Sequence, residues 1–170
     1  MALGIVSPVR FAVNLLKAGS VGLIGALFIF VVMFIGVNVT GMAPFNLSPS
    51  AAFLAALGIA PKPLALLVHF GYGFVWAVIL YAIFGARATI SKAVGLAVVQ
   101  WLLLMLVYGP TIGWGFFGIG AGGHDLPTDA PLYLGASVKY VLLTLVLHLI
   151  YGLINGALIP RWTRPMPQRR

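Results

Sequence analysis

Four long apolar stretches, residues 21–39, 64–84, 91–108 and 137–159, divide this chain, and each is flanked by glycine, proline or basic residues. A helix rising ~1.5 Å per residue needs about 20 apolar residues to cross ~30 Å of hydrocarbon. None of the four alternates with the two-residue period of a lipid-facing strand. Backbone amides in lipid must be satisfied within the element or a closed barrel, so the pattern predicts an all-α membrane protein with four transmembrane helices. The third stretch is the shortest, and Gly109-Pro110 is expected to end or kink it, because proline lacks the amide hydrogen and clashes with the preceding turn.

The connections carry their own signals. Residues 41–63 place Ser48 and Pro49 ahead of an apolar run, 51–57, which Gly58 closes. Serine as cap, proline in the first turn and glycine at the end predict a short helix, expected to lie in the interface. Residues 109–130 interleave Gly113, Gly115, Gly118, Gly120, Gly122 and Gly123 with Trp114, Phe116 and Phe117. This predicts irregular backbone that folds over the bundle or dips into it. Asp129 and Pro131 are expected to cap the fourth span. Residues 1–20 read as a cytoplasmic or interfacial segment with an amphipathic helix, residues 21–160 as the membrane domain, and 161–170 as a basic, disordered tail. Arg10 and Lys17 precede the first span, but 21–39 is longer than the ~7–15 residues of a signal-peptide core, so a retained helix is expected.

Composition agrees with lipid as the solvent. The chain is 62% hydrophobic and 7% charged, whereas soluble domains carry about 25% charged residues. It has no cysteine, which excludes disulfides, thiolate catalysis and thiolate metal sites. Its two acids are Asp125 and Asp129. The net charge of +8 comes from residues flanking the spans, which fits anionic lipid at the cytoplasmic face and not nucleic acid. Arg10, Lys17, Arg87, Lys92, Arg161, Arg164, Arg169 and Arg170 fall on one side, against Lys62 and Lys139 on the other. The positive-inside rule then predicts a multi-pass protein of the inner or plasma membrane with both termini cytoplasmic.

A short motif occurs twice. His69-Phe70-Gly71-Tyr72-Gly73 with Ala77 corresponds to His148-Leu149-Ile150-Tyr151-Gly152 with Gly156. The preceding spans align loosely through Val21-Gly22-Leu23 and Val94-Gly95-Leu96. Two parallel helical-hairpin repeats are therefore predicted. At ~100° per residue the histidine, tyrosine, glycine and small residue share one helix face. That face is expected to turn inward, because polar groups toward lipid are costly. Gly73, Ala77, Gly152 and Gly156 are the expected packing positions. Tyr140, Thr144 and Asn155 extend the polar stripe of the fourth span, and the two histidines are expected to face a shared axis.

The glycine-bearing first span, the segment 50–57, Leu67-Val68-His69 through Gly73, and Leu147-His148 through Gly152 resemble the YagU-like family of uncharacterised four-helix inner-membrane proteins. The resemblance covers most of residues 20–160. It implies fold and membrane location and carries no mechanism.

The candidate intramembrane polar site is His69, Tyr72, His148, Tyr151 and Asn155. Interhelical hydrogen bonding in a non-enzymatic helix-bundle subunit or binding module is the leading expectation, in a homo-oligomer or membrane complex. A small transporter or proton conductor using the two histidines is the second. Axial ligation of a b-type haem by His69 and His148, with the i+4 glycines making room, is the third. No cofactor is expected under the first reading. His124, Asp125 and Asp129 make a poor metal set on a glycine loop. Gln100 and Asn14 read as helix–helix hydrogen-bonding residues, and Tyr72, Tyr108, Tyr151 and Trp76 as packing or interface residues. Asn46-Leu47-Ser48 matches a glycosylation acceptor. No nucleophile elbow, phosphate loop or zinc-protease pair is present.

Overall fold

In the computed structural model, residues 8–163 are described. The elements are α1 (Pro8–Phe34), continued by a π turn (Ile35–Val39), α2 (Pro49–Ala56), α3 (Leu64–Phe84), α4 (Ile90–Leu103), continued by a π turn (Leu104–Tyr108) into α5 (Gly109–Thr111), α6 (Ala121–His124) and α7 (Ser137–Thr163). Four helical stretches, Pro8–Val39, Leu64–Arg87, Ile90–Thr111 and Ser137–Thr163, are long and apolar enough to cross a membrane. The molecule is an all-α, multi-pass membrane protein.

Several boundaries differ from the sequence pattern. The first helix runs unbroken from Pro8, so residues 8–20 are its first turns and not a separate segment. Proline suits a helix start, where its missing amide costs nothing, and no breaker follows. The third span continues through Gly109-Pro110. There the π turn hands the Gly109 amide to the Leu104 carbonyl, five residues back. The widened turn gives the Pro110 ring room that a regular α-turn lacks. The fourth span begins at Ser137, so Asp129 and Pro131 do not cap it. The Tyr140 amide bonds to the Ala136 carbonyl at 3.1 Å, which places the cap there. α7 extends to Thr163, past Pro160 and into the expected tail. The rest of that tail, with Arg164, Arg169 and Arg170, lies outside the described residues.

The short helix forms as its residues dictate. Pro49 occupies the first turn of α2. At the far end Gly58 takes φ +72°, its amide meets Ala55 O at 3.0 Å and the Ile59 amide meets Leu54 O at 2.9 Å. This paired closure needs a left-handed residue, which glycine supplies without a Cβ penalty.

The two loop segments make a packed cap over one end of the bundle. Trp114 and Leu134 are fully buried there and Phe45 nearly so. The Trp114 ring stacks on Phe45 with centroids 6.0 Å apart and meets Tyr140 edge-on at 5.3 Å, separations usual for aromatic pairs. Its indole N–H donates to Leu132 O at 2.9 Å. Gly135 N–H donates to Pro44 O at 2.7 Å, and Asn46 Nδ2 donates to Thr128 O and Ala130 O, each at 2.8 Å. The Asn46 amide, part of the Asn46-Leu47-Ser48 pattern, therefore clamps the two loops together. Close backbone approach explains much of the glycine: a Cβ on Gly120 would lie 2.7 Å from Gly115 N, and one on Gly123 2.9 Å from both Leu134 Cβ and Trp114 Cδ1.

α1 packs along both α3 and α7, and α7 packs along α4. Near the end where α1 begins and α7 finishes, Asn14 Nδ2 donates to the Tyr81 hydroxyl at 2.9 Å, a buried bond between α1 and α3. Asn14→Leu is expected to lower stability by ~0.6–2 kcal/mol, seen as an earlier thermal unfolding midpoint in detergent. An unchanged midpoint would show that the bond contributes nothing.

Candidate functional site

The interhelical contacts rest on small residues in matched positions. On the α1–α3 side, a Cβ on Gly22 would come 2.6 Å from Ala77 Cβ, and one on Gly73 2.7 Å from Ala26 Cβ. On the α4–α7 side, a Cβ on Gly156 would come 3.0 Å from Ala93 Cβ, and one on Gly152 3.0 Å from Ala97 Cβ. Gly22 and Ala26 thus stand to Gly73 and Ala77 as Ala93 and Ala97 stand to Gly152 and Gly156. This register corrects the one suggested by the sequence. Gly95, aligned there with Gly22, faces open space, with nothing within 4 Å of its Cβ position.

The same register explains where the bundle is closed and where it gapes. α1 meets α7 at Gly25, whose missing side chain leaves room for Tyr151 Cδ2 and Asn155 Nδ2, 2.8 and 3.2 Å from the Cβ position. The matched positions on α4 and α3 are Leu96, Tyr72 and Trp76. Leucine replaces glycine and an indole replaces a carboxamide. Leu96 packs against the cluster formed by Ala77, Leu80, Tyr81 and Ala93. α3 and α4 do not form a packed interface like that of α1 with α7.

A cavity of about 350 Å³ fills the gap. Its floor is Ala26 of α1 and Thr144, Leu147 and Tyr151 of α7, all buried. Its rims are Val68 and Tyr72 on α3 and Leu103 and Val107 on the third span, all exposed. The mouth therefore opens sideways, between α3 and α4, toward hydrocarbon. Pro49 and Ser50 of α2 line the end nearest the cap, where the Tyr108 hydroxyl donates to Pro49 O at 2.7 Å.

His69, Tyr72, His148 and Tyr151 all line this cavity, so it brings together four of the five residues of the expected polar site. Asn155 does not line it. It is buried at the α1–α7 contact, where its Nδ2 donates to Tyr151 O at 2.8 Å. The two tyrosines also part company. Tyr151 is 5% exposed and donates to Gly73 O, tying α7 to α3, whereas Tyr72 is 45% exposed at the mouth beside Trp76. The inward turn expected of both holds for Tyr151 alone.

Each histidine has one committed nitrogen. His69 Nε2 donates to Ala26 O at 2.8 Å, across to α1. His148 Nδ1 donates to Thr144 O at 2.7 Å, one turn back on its own helix. Gln100, 2% exposed, also lines the cavity, and its carboxamide has no hydrogen-bond partner among the described residues. Gln100 was legible in the sequence only as a lone polar residue of the third span; its companions there are set by packing. No charged side chain lines the cavity.

The geometry bears on the other expected chemistries. The glycines offered as room for a haem macrocycle, Gly73 and Gly152, are filled by Ala26 and Ala97 of the neighbouring helices. His69 Nε2 is also already spent on a carbonyl, so the space argument for haem is gone. In the cap, His124 Nε2 lies 2.7 Å from Gly118 O and 3.0 Å from Ser137 Oγ. Among the described residues no group of three or more histidine or acidic side chains is placed to hold a metal ion.

Comparison of this chain with models of known families, with curated proteins and with solved structures gives no match, so the YagU-like resemblance rests on its short motifs alone.

Proposed function

We propose that this protein is a non-enzymatic binding module of the cell membrane, which holds a lipid-soluble molecule in the cleft between α3 and α4. The observation that supports this most directly is the sideways mouth. An apolar cavity reached from hydrocarbon, with a few polar groups at its base, suits a ligand that arrives through the bilayer. The Gln100 carboxamide supports this too, since it lines the cavity without a hydrogen bond among the described residues and so is open to a guest. The bias of basic residues toward the end carrying both termini supports a cytoplasmic location for that end. On this reading the two hairpins are a duplicated unit, with Leu96 and Trp76 having opened one of two formerly equivalent interfaces.

The test is photolabelling of the reconstituted protein with a lipid carrying a photoactivatable group on its acyl chain. Labels are expected to concentrate on Tyr72, Trp76, Leu103 and Val107. Equal labelling of outward residues such as Leu27, Val31 and Leu142, exposed away from the cleft, would remove the proposal.

A further inference from the structure

Resting on that reading of the cleft, we infer that its ligand is a neutral hydroxyl donor with an aromatic head, of the hydroquinone class, whose hydroxyl groups are accepted by His69 and His148. The inference starts from the committed nitrogens. A main-chain carbonyl can only accept, so His69 Nε2 and His148 Nδ1 must carry the ring hydrogens. In a neutral imidazole the other nitrogen is then a bare acceptor. The two rings therefore offer His69 Nδ1 and His148 Nε2 as acceptors, and neither has a partner among the described residues. The same cavity is lined by both side chains.

Two acceptors call for two donors. A molecule with carbonyl oxygens alone, such as a quinone, ester or ketone, has none to give. A carboxylate or phosphate adds negative charge to a site that no lysine or arginine lines. An ammonium would bring its charge into an apolar core with no acid to pair with it, which is costly. Neutral donors remain, and a diol supplies two hydroxyl donors with no charge. Gln100 can donate to or accept from the same head and so fix its orientation.

The walls argue for an aromatic diol over an aliphatic one. Tyr72, Trp76 and Tyr108 line the cavity, with the Tyr72 and Trp76 rings edge-on at 5.9 Å. Such surfaces favour a flat ring. The volume of about 350 Å³ lies at the small end of the range for small-molecule pockets, ~300–1,000 Å³. That holds one substituted ring and the start of a tail, with the remainder of the tail trailing through the mouth into lipid.

The experiment uses full-length protein in nanodiscs under anaerobic conditions. Its probes are a short-tailed benzohydroquinone, the matching benzoquinone and an aliphatic diol of equal length, with binding read by equilibrium dialysis. The variants are His69→Phe and His148→Phe, each chosen to keep a flat ring in place while removing the accepting nitrogen and supplying no new acceptor; unchanged thermal unfolding confirms that they fold. The quinol is expected to bind about tenfold or more tightly than the quinone, and each variant to weaken quinol binding about tenfold while leaving the quinone unaffected. Equal affinity for the two oxidation states, or quinol affinity untouched by both variants, would overturn the donor inference and leave the cleft as a binding site. Histidine-dependent binding of the aliphatic diol equal to that of the quinol would overturn the aromatic part. If none of the three probes binds, the inference falls, and scattered photolabelling would take the binding reading down with it.

Discussion

Gly73→Leu is expected to drive α1 and α3 apart and to destabilise the detergent-solubilised protein by about 3 kcal/mol. Even a single Cβ at Gly73 would sit 2.7 Å from Ala26 Cβ and 3.1 Å from the Gly22 carbonyl oxygen. The second of these is backbone and cannot swing aside. The carbonyl of Gly73 itself accepts the Tyr151 hydroxyl, so displacing α3 also loosens α7. In lipid there is no hydrophobic force to restore the contact, because the tails are as apolar as the side chains, and association rests on close packing. The control is Gly71→Ala. Nothing lies within 4 Å of the Gly71 Cβ position, so alanine there should be neutral or stabilising by ~0.5–1 kcal/mol through backbone entropy and helix propensity. Thermal unfolding of the two variants side by side decides the matter. Equal behaviour would show that the small-residue contact does not hold the hairpin together.

Trp114→Ala should have an effect of comparable size in a different place. The indole is fully buried among Phe45, Tyr140 and Leu134, and it donates to Leu132 O. Truncating a buried aromatic ring costs ~3–5 kcal/mol, and here an orphaned carbonyl adds to it. The loss should fall on the cap, since the four spans have their own interfaces. Limited proteolysis is expected to cut residues 109–136 rapidly in the variant while the spans stay helical by circular dichroism. A cap that remains as resistant as the wild type would show that Trp114 is not its keystone.

The elements that could be read from the sequence were those set by local chemistry. Ser48-Pro49 and Gly58 bracket a helix because a proline start and a left-handed glycine stop act within a few residues. The four spans follow from apolar length alone. His69 and His148 line one cavity, as a shared helix face in the repeated motif leads one to expect. What the sequence left hidden depended on which neighbour each face meets. Gly22 and Gly95 look alike in sequence, yet one is wedged against α3 and the other faces open space. Tyr72 and Tyr151 occupy the same motif position, but only Tyr151 has a glycine, Gly25, across from it. Gly109-Pro110 reads as a stop until a π turn supplies the missing space. Gln100 carries no motif, and its importance arises only from the cavity around it.

On the proposed reading, the sideways mouth changes the meaning of concentration for this protein. A guest that arrives from within the leaflet is counted by its mole fraction among the lipids and not by its scarcity in water. Partitioning into the membrane has then already done most of the work of gathering it, so the few polar groups at the base of the cleft need supply only selectivity. Loose, rapidly exchanging occupancy that follows the composition of the membrane is the behaviour such a slot would give.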